Sequence, residues 1–442
     1  MASTSHRRSL RRRRTALVSA AAVAAAGLGA VSFVMNANAT PVELARQSLP
    51  AKDGWAASGS GTTGGSKADS AHVYTVSTRA QLAKTLGNGS DSTPKIIKVK
   101  GTIDANGGKS CADYAAGTGY SLAAYLTAYD PKTYGKKMPS GTQETAREAA
   151  ETKQKKNMVF KVPANTTIVG VPGTKAGIKG GSLQVQDVKN VIIRNLTFSA
   201  TEDCFPQWDP TDGSSGEWNS NYDSVTLRGA TNVWADHNTF TDAPNFDKSL
   251  KTYFGRKYQI HDGALDITNG SDLVTVERNK FTNHDKTMLI GSSDSDTKGK
   301  LRVTIHHNVW QGITQRAPLA RIGQIHLYNN FYDTTTVNGY APKYSLDSRA
   351  KAQVVAEHNA WTVPSGGKIA KLLSGDGTGS VAGSGNLVNG KATDIVASYN
   401  AASSKKIKTT VNWKPSLTAG LQTSAKSLPV GLLKTTGAGV LN

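Results

Sequence analysis

One phrase recurs six times along the chain: NVIIRNLTF (190–198), NVWADHNTF (232–240), LVTVERNKF (273–281), RVTIHHNVW (302–310), QIHLYNNFY (324–332) and QVVAEHNAW (353–361). Each copy has alternating apolar residues, then a polar pair, then an aromatic residue. Five copies carry an asparagine two positions before the aromatic residue, at Asn238, Asn279, Asn308, Asn330 and Asn359, and the first copy has Leu196 there. Alternation is the period of a β-strand, and the spacings between these asparagines (41, 29, 22 and 29 residues) vary although the phrase does not. A fixed strand repeated with a variable loop is typical of a solenoid and predicts a parallel β-helix.

The recurring asparagine has a physical reason in such a fold. Equivalent residues of stacked coils lie about 4.8 Å apart, and a side-chain amide has both donors and an acceptor, so each asparagine can bond the one above and the one below. Asparagine also tolerates the left-handed backbone that a tight corner between two strands needs. We expect the aromatic residues to stack inside the helix in the same way. A β-sandwich of unrelated strands is the alternative, but it does not require the same corner residue five times.

The first 39 residues have the pattern of a secretory signal peptide. Six arginines within residues 7–14 precede an apolar, alanine-rich run (16–35), which ends in Ala37-Asn38-Ala39, a small-x-small cleavage site. An uncut membrane anchor is the alternative. No later segment approaches the roughly 18 apolar residues that a membrane-spanning helix needs. The pattern predicts cleavage after Ala39, a secreted protein, and a catalytic or binding domain that covers residues 40–442.

The charge of the chain points to an anionic partner. The formal net charge is +20, and removal of the six arginines leaves 46 basic against 32 acidic residues, a net charge of +14. Nucleic acid, an acidic polysaccharide and a membrane surface all fit a basic secreted protein, and the charge alone does not choose among them.

The chain has two cysteines, Cys111 and Cys204. In a secreted protein with no third cysteine, the natural prediction is one disulfide between them. This bond would tie an insertion at residues 104–157, which has helical composition and no copy of the phrase, to the body of the β-helix. Two free thiols or a metal pair are the alternatives.

The rest of the chain divides by composition. Residues 40–74 are rich in Gly, Ser and Thr and are expected to lead loosely into the fold. The segment 76–86 predicts a short amphipathic helix that caps the open end of the solenoid, and the segments 95–104 and 165–170 predict its first strands. Residues 362–442 are expected to pack along the side or to seal the far end.

Function is expected in the charged residues that interrupt the repeated pattern. They lie between consecutive copies of the phrase, at Asp223, Asp262, Asp266, Lys286, Arg316 and Arg321. Asp262 and Asp266 differ by four positions, so on an extended strand both point to one side. The interval of 41 residues between Asn238 and Asn279 places Asp223 beside this pair in the adjacent coil.

Three carboxylates so close would repel one another unless a cation joined them. Oxygen ligands in a loose geometry favour Ca²⁺ over Mg²⁺, although three solvated carboxylates on an exposed face remain the plain alternative. The same register puts Lys286, and then Arg316 and Arg321, in the next two coils. An anionic substrate that lies across the coils and bridges a metal would suit this arrangement, whereas surface arginines could instead pair with nearby acids.

These residues resemble the pectate lyases of polysaccharide lyase family 1 over nearly the whole predicted mature chain. The resemblance rests on VSTRAQL, NTTIVG, Trp234-Ala235-Asp236-His237, NYDSVTL, HDGALD, HDKTMLIGSSDSD and QRAPLAR, in this order. It implies a right-handed parallel β-helix that acts on an acidic polysaccharide, rather than on nucleic acid or a membrane. A capped solenoid has no need of a partner, so a monomer is expected. It also implies calcium ligands at Asp223, Asp262 and Asp266, a catalytic base at Arg316, and substrate binding by Lys286 and Arg321.

The reaction that the resemblance implies is β-elimination at a galacturonate residue of pectate. Two positions depart from the family pattern. Asn221 stands where some members have a further aspartate, which leaves fewer protein ligands for calcium. Ala235 replaces the isoleucine of the usual Trp-Ile-Asp-His and is expected to affect core packing alone. Asp236 and His237 belong to the repeated phrase, so we expect a structural role for them.

Three other functions are alternatives for a β-helix of this kind. A pectin lyase acts on methyl-esterified polymer without metal, but that sub-type lacks the three carboxylates. A β-helical glycoside hydrolase would use paired carboxylates, but the polygalacturonase signatures Asn-Thr-Asp, Asp-Asp and Gly-His-Gly are absent from the sequence. A non-catalytic polysaccharide-binding β-helix would keep the asparagines but has no need of Lys286, Arg316 and Arg321 beside three aligned carboxylates.

Overall fold

A computed structural model of the protein describes residues 43–296 and 300–441, so the predicted signal peptide lies outside the described residues. The backbone winds through three parallel sheets. Sheet 1 contains Val73–Val76, Lys95–Val99, Thr166–Gly170, Lys189–Arg194, Thr231–Asp236, Asp272–Glu277, Arg302–His306, Gln324–Tyr328, Gln353–Glu357 and Ser380–Ser384. Sheet 2 contains Thr102–Asp104, Gly177–Lys179, Thr197–Ser199, Thr239–Thr241, Lys280–Lys286, Val309–Gln315, Phe331–Asp333, Ala360–Thr362, Leu387–Val388 and the antiparallel Lys391–Ala392. Sheet 3 contains Val159–Lys161, Ser182–Gln186, Val225–Arg228, Leu265–Thr268, Leu289–Ile290, Leu319–Arg321, Leu346–Arg349 and Leu373–Gly375.

Each strand pairs with its counterpart one coil later, as the repeated phrase predicts. Val233 lies opposite Val274, which lies opposite Val303, and this column continues through Ile325 and Val354. The apolar side chains of the three sheets meet in one continuous core inside the coils. The fold is therefore the predicted right-handed parallel β-helix.

The asparagines form the predicted ladder at the corner between sheets 1 and 2. The side-chain amide of Asn238 donates to Oδ1 of Asn279 at 3.0 Å, and the same bond links each asparagine to the next as far as Asn359. Each amide also donates to a backbone carbonyl of the preceding coil. These side chains are fully buried, so the ladder satisfies polar groups that water cannot reach.

Two details of the ladder differ from the sequence prediction. The left-handed residue at the corner is the one before each asparagine, for example His237 (φ 50°) and Arg278 (φ 49°), and not the asparagine itself. The ladder also has a further rung, because Asn359 donates to Oδ1 of Asn386 at 3.2 Å. The segment that contains Asn386 ends in Val388 rather than an aromatic residue, so it does not match the repeated phrase.

The aromatic residues stack inside the β-helix, as predicted. Neighbouring rings are nearly parallel, with interplanar angles of 5° to 12° and centroid distances of 4.2 to 5.8 Å. The stack runs through Phe198, Phe240, Phe281, Trp310, Tyr332 and Trp361. Offset stacking of this kind stabilises the core beyond the burial of area alone.

Removal of one rung should weaken the whole stack. Asn330 is fully buried and bonds to Asn308, Asn359 and the carbonyls of Ile305 and Tyr328. We expect Asn330→Ala to lower the free energy of unfolding by about 2–4 kcal/mol, since several buried groups lose their partners. Denaturant titration measures this change. Asn412→Ala, at an exposed position, is the control. Equal stability of the two variants would show that the ladder does not stabilise the fold.

The helices lie at the ends and side of the β-helix. They are Arg79–Leu86, Cys111–Ala115, Leu122–Ala128, Pro131–Tyr134, Thr142–Met158, Ile395–Ala402 and Leu428–Thr435, with 3-10 turns at Leu44–Arg46, Trp55–Ala57, Ser70–His72, Asp247–Ser249 and Ile369–Leu372. The first helix is the predicted cap: Thr78 and Gln81 form a capping box, and Leu82 and Leu86 enter the core. Two short hairpins, Gln207–Asp209 with Glu217–Asn219 and Thr252–Tyr253 with Arg256–Lys257, extend from the loops.

The predicted insertion is helical and is tied to the coils by the predicted disulfide. Cys111 and Cys204 are bonded at 2.07 Å. In the longest helix of the insertion, Arg147 pairs with Glu144 and Glu151 and donates to the carbonyl of Phe205 at 2.9 Å. The insertion is thereby held against the loops that precede Asp223.

The terminal segments pack more closely than the sequence predicts. The prediction of a loose leader is wrong for residues 43–72, because Leu49 and Ala56 are buried against Ile192 and Trp234 of sheet 1. Residues 373–388 add a strand to each of the three sheets, so the β-helix continues beyond residue 361. Only the later part of 362–442 packs on the side, as Leu428 and Leu432 do against sheet 2.

Within residues 43–296 and 300–441, no helix has the length and apolar character that crossing a membrane requires.

Candidate active site

Two carboxylates converge on Gly263, at the start of adjacent strands of sheet 3. Asp223 precedes the strand Val225–Arg228, and Asp266 lies in the next strand, Leu265–Thr268. A Cβ atom at Gly263 would lie 2.6 Å from Oδ1 of Asp223 and 2.5 Å from Oδ1 of Asp266. Only a residue without a side chain leaves this space, so the glycine forms the floor of a small oxygen-lined cradle.

Each of these carboxylates is held in place by neutral donors. Oδ1 of Asp223 accepts from the Gly263 amide at 2.8 Å, and its Oδ2 accepts from the Thr226 hydroxyl at 2.8 Å. Oδ1 of Asp266 accepts from the Leu289 amide at 2.9 Å. The predicted register is thus nearly right, since the interval between these strands is 40 residues (Val225 opposite Leu265) rather than 41.

Asp262 is the third carboxylate and forms an ion pair with Lys286. Its Oδ1 lies 2.8 Å from Nζ of Lys286, which ends the strand Lys280–Lys286 of sheet 2. Burial opposes the charge on Lys286, but the Asp262 carboxylate outweighs it and raises the pKa of Lys286. The carboxylates therefore have a permanent cation on one side.

The carboxyl groups of Asp223 and Asp266 both have a raised pKa. Burial, and then the charge of Asp262, raises the pKa of Asp223 to about 7. Burial, and then the charges of Asp223 and Asp262, raises the pKa of Asp266 well above its ordinary value, which Arg316 offsets only in part. Buried like charges of this kind are neutralised either by protons or by a cation.

The side-chain ligand atoms that meet at Gly263 are carboxylate oxygens, and this donor type fits a hard divalent cation. Asn221, the departure from the family pattern, does not join it: its side-chain amide donates to Oε1 of Glu151 at 2.8 Å. Of the three predicted carboxylates, Asp223 and Asp266 meet at Gly263, whereas Asp262 is paired with Lys286.

Asp242 and His284 form a buried pair that holds the backbone of Asp262 in place. Burial alone would lower the pKa of His284, but the adjoining Asp242 carboxylate raises it to about 9. Protonated His284 therefore donates from Nδ1 to Asp242 and from Nε2 to the carbonyl oxygen of Asp262 at 2.9 Å. The sequence motif HDK contained this histidine, but nothing in the sequence indicated its partners.

Arg316 directly follows the sheet 2 strand Val309–Gln315 and has an unusual backbone. Its φ is +59°, in the left-handed region that a non-glycine residue rarely adopts. Its carbonyl accepts from the Met288 amide at 2.7 Å, and the next amide, of Ala317, donates to Ser345 at 2.7 Å. Nε of Arg316 is buried without a hydrogen-bond partner. Corner residues such as His237 and Arg278 share this backbone conformation, so the buried, unpartnered Nε is what distinguishes Arg316.

Arg321 differs from Arg316 because its side chain already has hydrogen-bond partners. Its Nε donates to Asp294 at 2.9 Å and its Nη1 to the carbonyl of Gly291 at 3.2 Å. Pairing with a nearby acid was the alternative that the sequence left open for the two arginines. It holds for Arg321, whose partner Asp294 is largely exposed.

Two clefts flank the carboxylates. One, with a volume of about 420 Å³, contains Lys286 and Arg316 together with Asp285, Gln315 and Lys343. The other, of about 390 Å³, contains Asp223 and is also lined by Lys155, Gln184 and Arg228. Sequence reasoning missed Lys155, Arg228 and Lys343, because a lone basic residue in a basic chain gives no signal until the fold places it beside a cleft.

Asp236 and His237 lie away from these clefts, on the corner that carries the asparagine ladder. Asp236 is buried and pairs with Arg194 at 2.6 Å and with His237. These contacts agree with the structural role expected for them.

Comparison with known proteins places the chain in a family. The family model described as pectate lyase matches residues 21–122 and 134–427. The pectate lyase of Bacillus subtilis (strain 168) is 45% identical over 416 residues, covering 92% of this chain and 96% of that protein. Pectate lyase E of Dickeya chrysanthemi is 36% identical over 360 residues, covering 80% and 78%.

A solved structure described as pectate lyase bound to hexasaccharide superposes with a TM-score of 0.85. Its sequence identity is 43%, and the match covers 90% of this chain and 100% of that one. The chain therefore belongs to the pectate lyase family and is an enzyme of the polysaccharide lyase type.

Proposed function

We propose that this protein is a secreted, calcium-dependent pectate lyase that cleaves (1→4)-α-D-galacturonan by β-elimination and releases 4,5-unsaturated oligogalacturonides. The observation that carries the proposal is the cradle over Gly263, where two buried carboxylates converge beside the Asp262–Lys286 pair and the unpartnered Nε of Arg316. Acidic and basic groups in adjacent coils suit a polyanion that lies across the stack.

Asp223, Asp262 and Asp266 are the residues that would hold Ca²⁺. When bound, the ion supplies positive charge beside a substrate carboxylate and so favours the enolate-like transition state. The fit rests on the two carboxylate oxygens that meet at Gly263 and on the pKa of Asp223 and Asp266, which burial raises first and like charges second, because a cation neutralises buried carboxylates.

Lys286 adds a second positive charge at the same place. In β-elimination the proton leaves C5 while the bond from C4 to the glycosidic oxygen breaks. The C5 proton is only weakly acidic next to an ionised carboxylate, so positive charge near that carboxylate lowers the barrier. The ion pair with Asp262 keeps the Lys286 ammonium protonated for this role.

Arg316 is assigned as the base that takes the C5 proton. Its Nε has no hydrogen-bond partner, and the side chain lines the cleft that also contains Lys286. Guanidinium groups ordinarily stay protonated. The left-handed backbone of Arg316 and the cationic residues around it would therefore have to favour loss of its proton. Arg321 is proposed to bind substrate, which requires exchange of its Asp294 partner for a substrate carboxylate.

The base assignment predicts an alkaline activity profile. A base must be deprotonated, so kcat/KM should rise with pH above neutrality. Initial rates on polygalacturonate between pH 5 and pH 11, at saturating calcium, measure the profile. Activity that peaks near pH 5 would count against Arg316 as the base.

Calcium should stabilise the protein more at pH 8 than at pH 5. The folded-state pKa of Asp223 is raised to about 7 from 3.8, so the native state binds a proton that the unfolded chain releases. Without metal, this group lowers the stability progressively as pH rises from about 4 to about 7. Calcium binding displaces the proton and restores the stability that is lost as the pH rises. The difference in Tm with and without chelator measures the effect, and an equal difference at both pH values would contradict it.

One assay separates the candidate functions. The mature protein is incubated with polygalacturonate and with methylated pectin, with and without chelator, and the ultraviolet absorbance of the unsaturated product is followed. We expect a rise with polygalacturonate that chelator abolishes. A rise that survives chelation and prefers methylated pectin would favour a pectin lyase. No rise with either polymer would favour a non-catalytic polysaccharide-binding protein.

The remaining parts of the proposal concern the state of the chain. We propose that residues 1–39 are removed on secretion and that residues 40–442 act as one catalytic domain, as a monomer. The disulfide between Cys111 and Cys204 supports an oxidising destination. N-terminal sequencing of the secreted protein and its mass in solution test these points.

A further inference from the structure

A second group of metal-binding side chains lies on sheet 1, at the corner that carries the asparagine ladder. Glu277 ends the strand Asp272–Glu277, and His306 ends the next strand, Arg302–His306. Asp53 comes from the N-terminal segment that packs over this sheet. All three side chains are buried, and one ligand atom of each lies within 4.8 Å of the other two.

The distances between these atoms suit coordination better than hydrogen bonding. Nε2 of His306 lies 3.4 Å from Oδ1 of Asp53 and 3.6 Å from Oε2 of Glu277. Two ligands of a tetrahedral ion with bonds of about 2.0–2.1 Å lie roughly 3.3–3.4 Å apart. Neither Nε2 of His306 nor Oδ1 of Asp53 has a hydrogen-bond partner, although His306 is only 1% exposed.

The side-chain atoms of Glu277 and His306 that would not bind the metal already contact other residues, as such atoms do around protein-bound metals. Oε1 of Glu277 accepts from the indole Nε1 of Trp234 at 2.7 Å, which leaves Oε2 turned toward His306. Nδ1 of His306 lies 2.9 Å from Nδ1 of His307. When His306 is the donor in that bond, its Nε2 carries the lone pair that a metal needs.

Tyr328 packs against the group, with its hydroxyl close to Asp53. Its ring stacks on His306 with an interplanar angle of 7° and a centroid distance of 4.6 Å. A Cβ atom at Gly420 would lie 3.3 Å from the Tyr328 hydroxyl and 3.2 Å from Oδ1 of Asp53, so the backbone of the C-terminal segment covers the group.

The charges around the group favour a dication. Burial raises the pKa of Glu277 well above its ordinary value and that of Asp53 to about 6. The neighbouring Asp236 is already paired with Arg194 and His237. Arg278 is the cation nearest to Glu277 among the described ion pairs, at 3.9 Å and with a side chain 35% exposed, and its charge offsets the effect of burial on the pKa of Glu277 and Asp53 only in part.

We propose that Asp53, Glu277 and His306 form a structural site for a tetrahedral divalent transition metal of the zinc type. Imidazole nitrogen together with carboxylate oxygen is a zinc donor set, whereas calcium prefers oxygen alone. The metal joins the N-terminal segment to two coils of sheet 1, and Asp53 also forms a β-bridge to Thr418 of the C-terminal segment. The site therefore holds the segments around residues 53 and 418 against the β-helix.

Cobalt substitution tests the site in the mature protein without a histidine tag. After treatment with chelator, the protein is titrated with Co²⁺ while excess Ca²⁺ occupies the carboxylates of the candidate active site. We expect one equivalent of Co²⁺ to give the intense visible bands of a tetrahedral complex, and one equivalent of Zn²⁺ to remove them. Zn²⁺ at 100 times its Kd should raise Tm by roughly 3–5 °C.

Variants assign the signal to these residues. Glu277→Gln keeps the size of the side chain, and we expect it to weaken Co²⁺ binding at least about 100-fold, as His306→Gln should. Asp262→Asn and His72→Gln, at a partly exposed histidine away from the group, should keep the full spectrum. If His306→Gln does not fold, the wild-type titration and Glu277→Gln still decide. Absence of tetrahedral bands in the wild type, or an unchanged spectrum in Glu277→Gln, would overturn the proposal.

Discussion

Replacing Arg316 by alanine is expected to lower kcat on polygalacturonate by about 10²–10⁴-fold, the range that a general base contributes. The side chain makes no hydrogen bond through its buried Nε, and the asparagine ladder does not use it. The variant should therefore fold normally, with an unchanged circular dichroism spectrum. Steady-state rates at alkaline pH and saturating calcium measure the loss.

Two further substitutions sharpen this test. Arg316→Gly should be as inactive as the alanine variant without loss of stability, because glycine adopts the left-handed backbone at φ +59° without strain. Arg302→Ala is the matched control, since Arg302 pairs with Asp272 on sheet 1 and should retain activity. A kcat within a few-fold of the wild type for both Arg316 variants would remove this residue from the role of base.

Gly263→Ala should nearly abolish calcium binding although it adds only a methyl group. The new Cβ would lie 2.5–2.6 Å from oxygen atoms of both Asp266 and Asp223, so these carboxylates must move apart. We expect the calcium Kd to rise at least about 10–100-fold, as it does when the geometry around a metal is disturbed. Isothermal titration with Ca²⁺, and the calcium concentration that gives half-maximal activity, measure the change.

The control for this variant is another glycine. Gly431 has no atom within 4 Å of its ideal Cβ position and no left-handed φ, so Gly431→Ala should bind calcium like the wild type. If Gly263→Ala also bound calcium normally, the cation would have to be held elsewhere than in the cradle of Asp223 and Asp266.

The repeated phrase was sufficient to predict the scaffold. The sequence intervals between Asn238, Asn279 and Asn308 predict the register of the coils to within one residue, and Asp223 and Asp266 meet at Gly263. Sequence periodicity works here because each rung repeats the same backbone and the same hydrogen bonds. It missed Asn386, whose segment SVAGSGNLV has a valine where the other copies have an aromatic residue.

Long-range packing of irregular segments could not be predicted in this way. Residues 43–72 have no apolar periodicity, yet the Trp55 amide donates to the Thr304 hydroxyl at 2.9 Å, across 249 positions of sequence. The same limit hid the meeting of Asp53 with Glu277 and His306. It also left the partner of Arg321 open, because the position of Asp294 depends on a loop and not on the ladder.

In the proposed function, Asp223, Asp262 and Asp266 hold the cation that elimination requires. The most direct measurement is the rate of unsaturated-product formation from a short oligogalacturonide by chelator-stripped enzyme, as Ca²⁺ is titrated back, for the wild type and for Asp266→Asn. We expect the wild-type rate to rise from near zero to saturation and the variant to remain inactive at the calcium concentration that saturates the wild type. Full wild-type activity in the presence of chelator, or an Asp266→Asn variant that responds to calcium like the wild type, would contradict the claim.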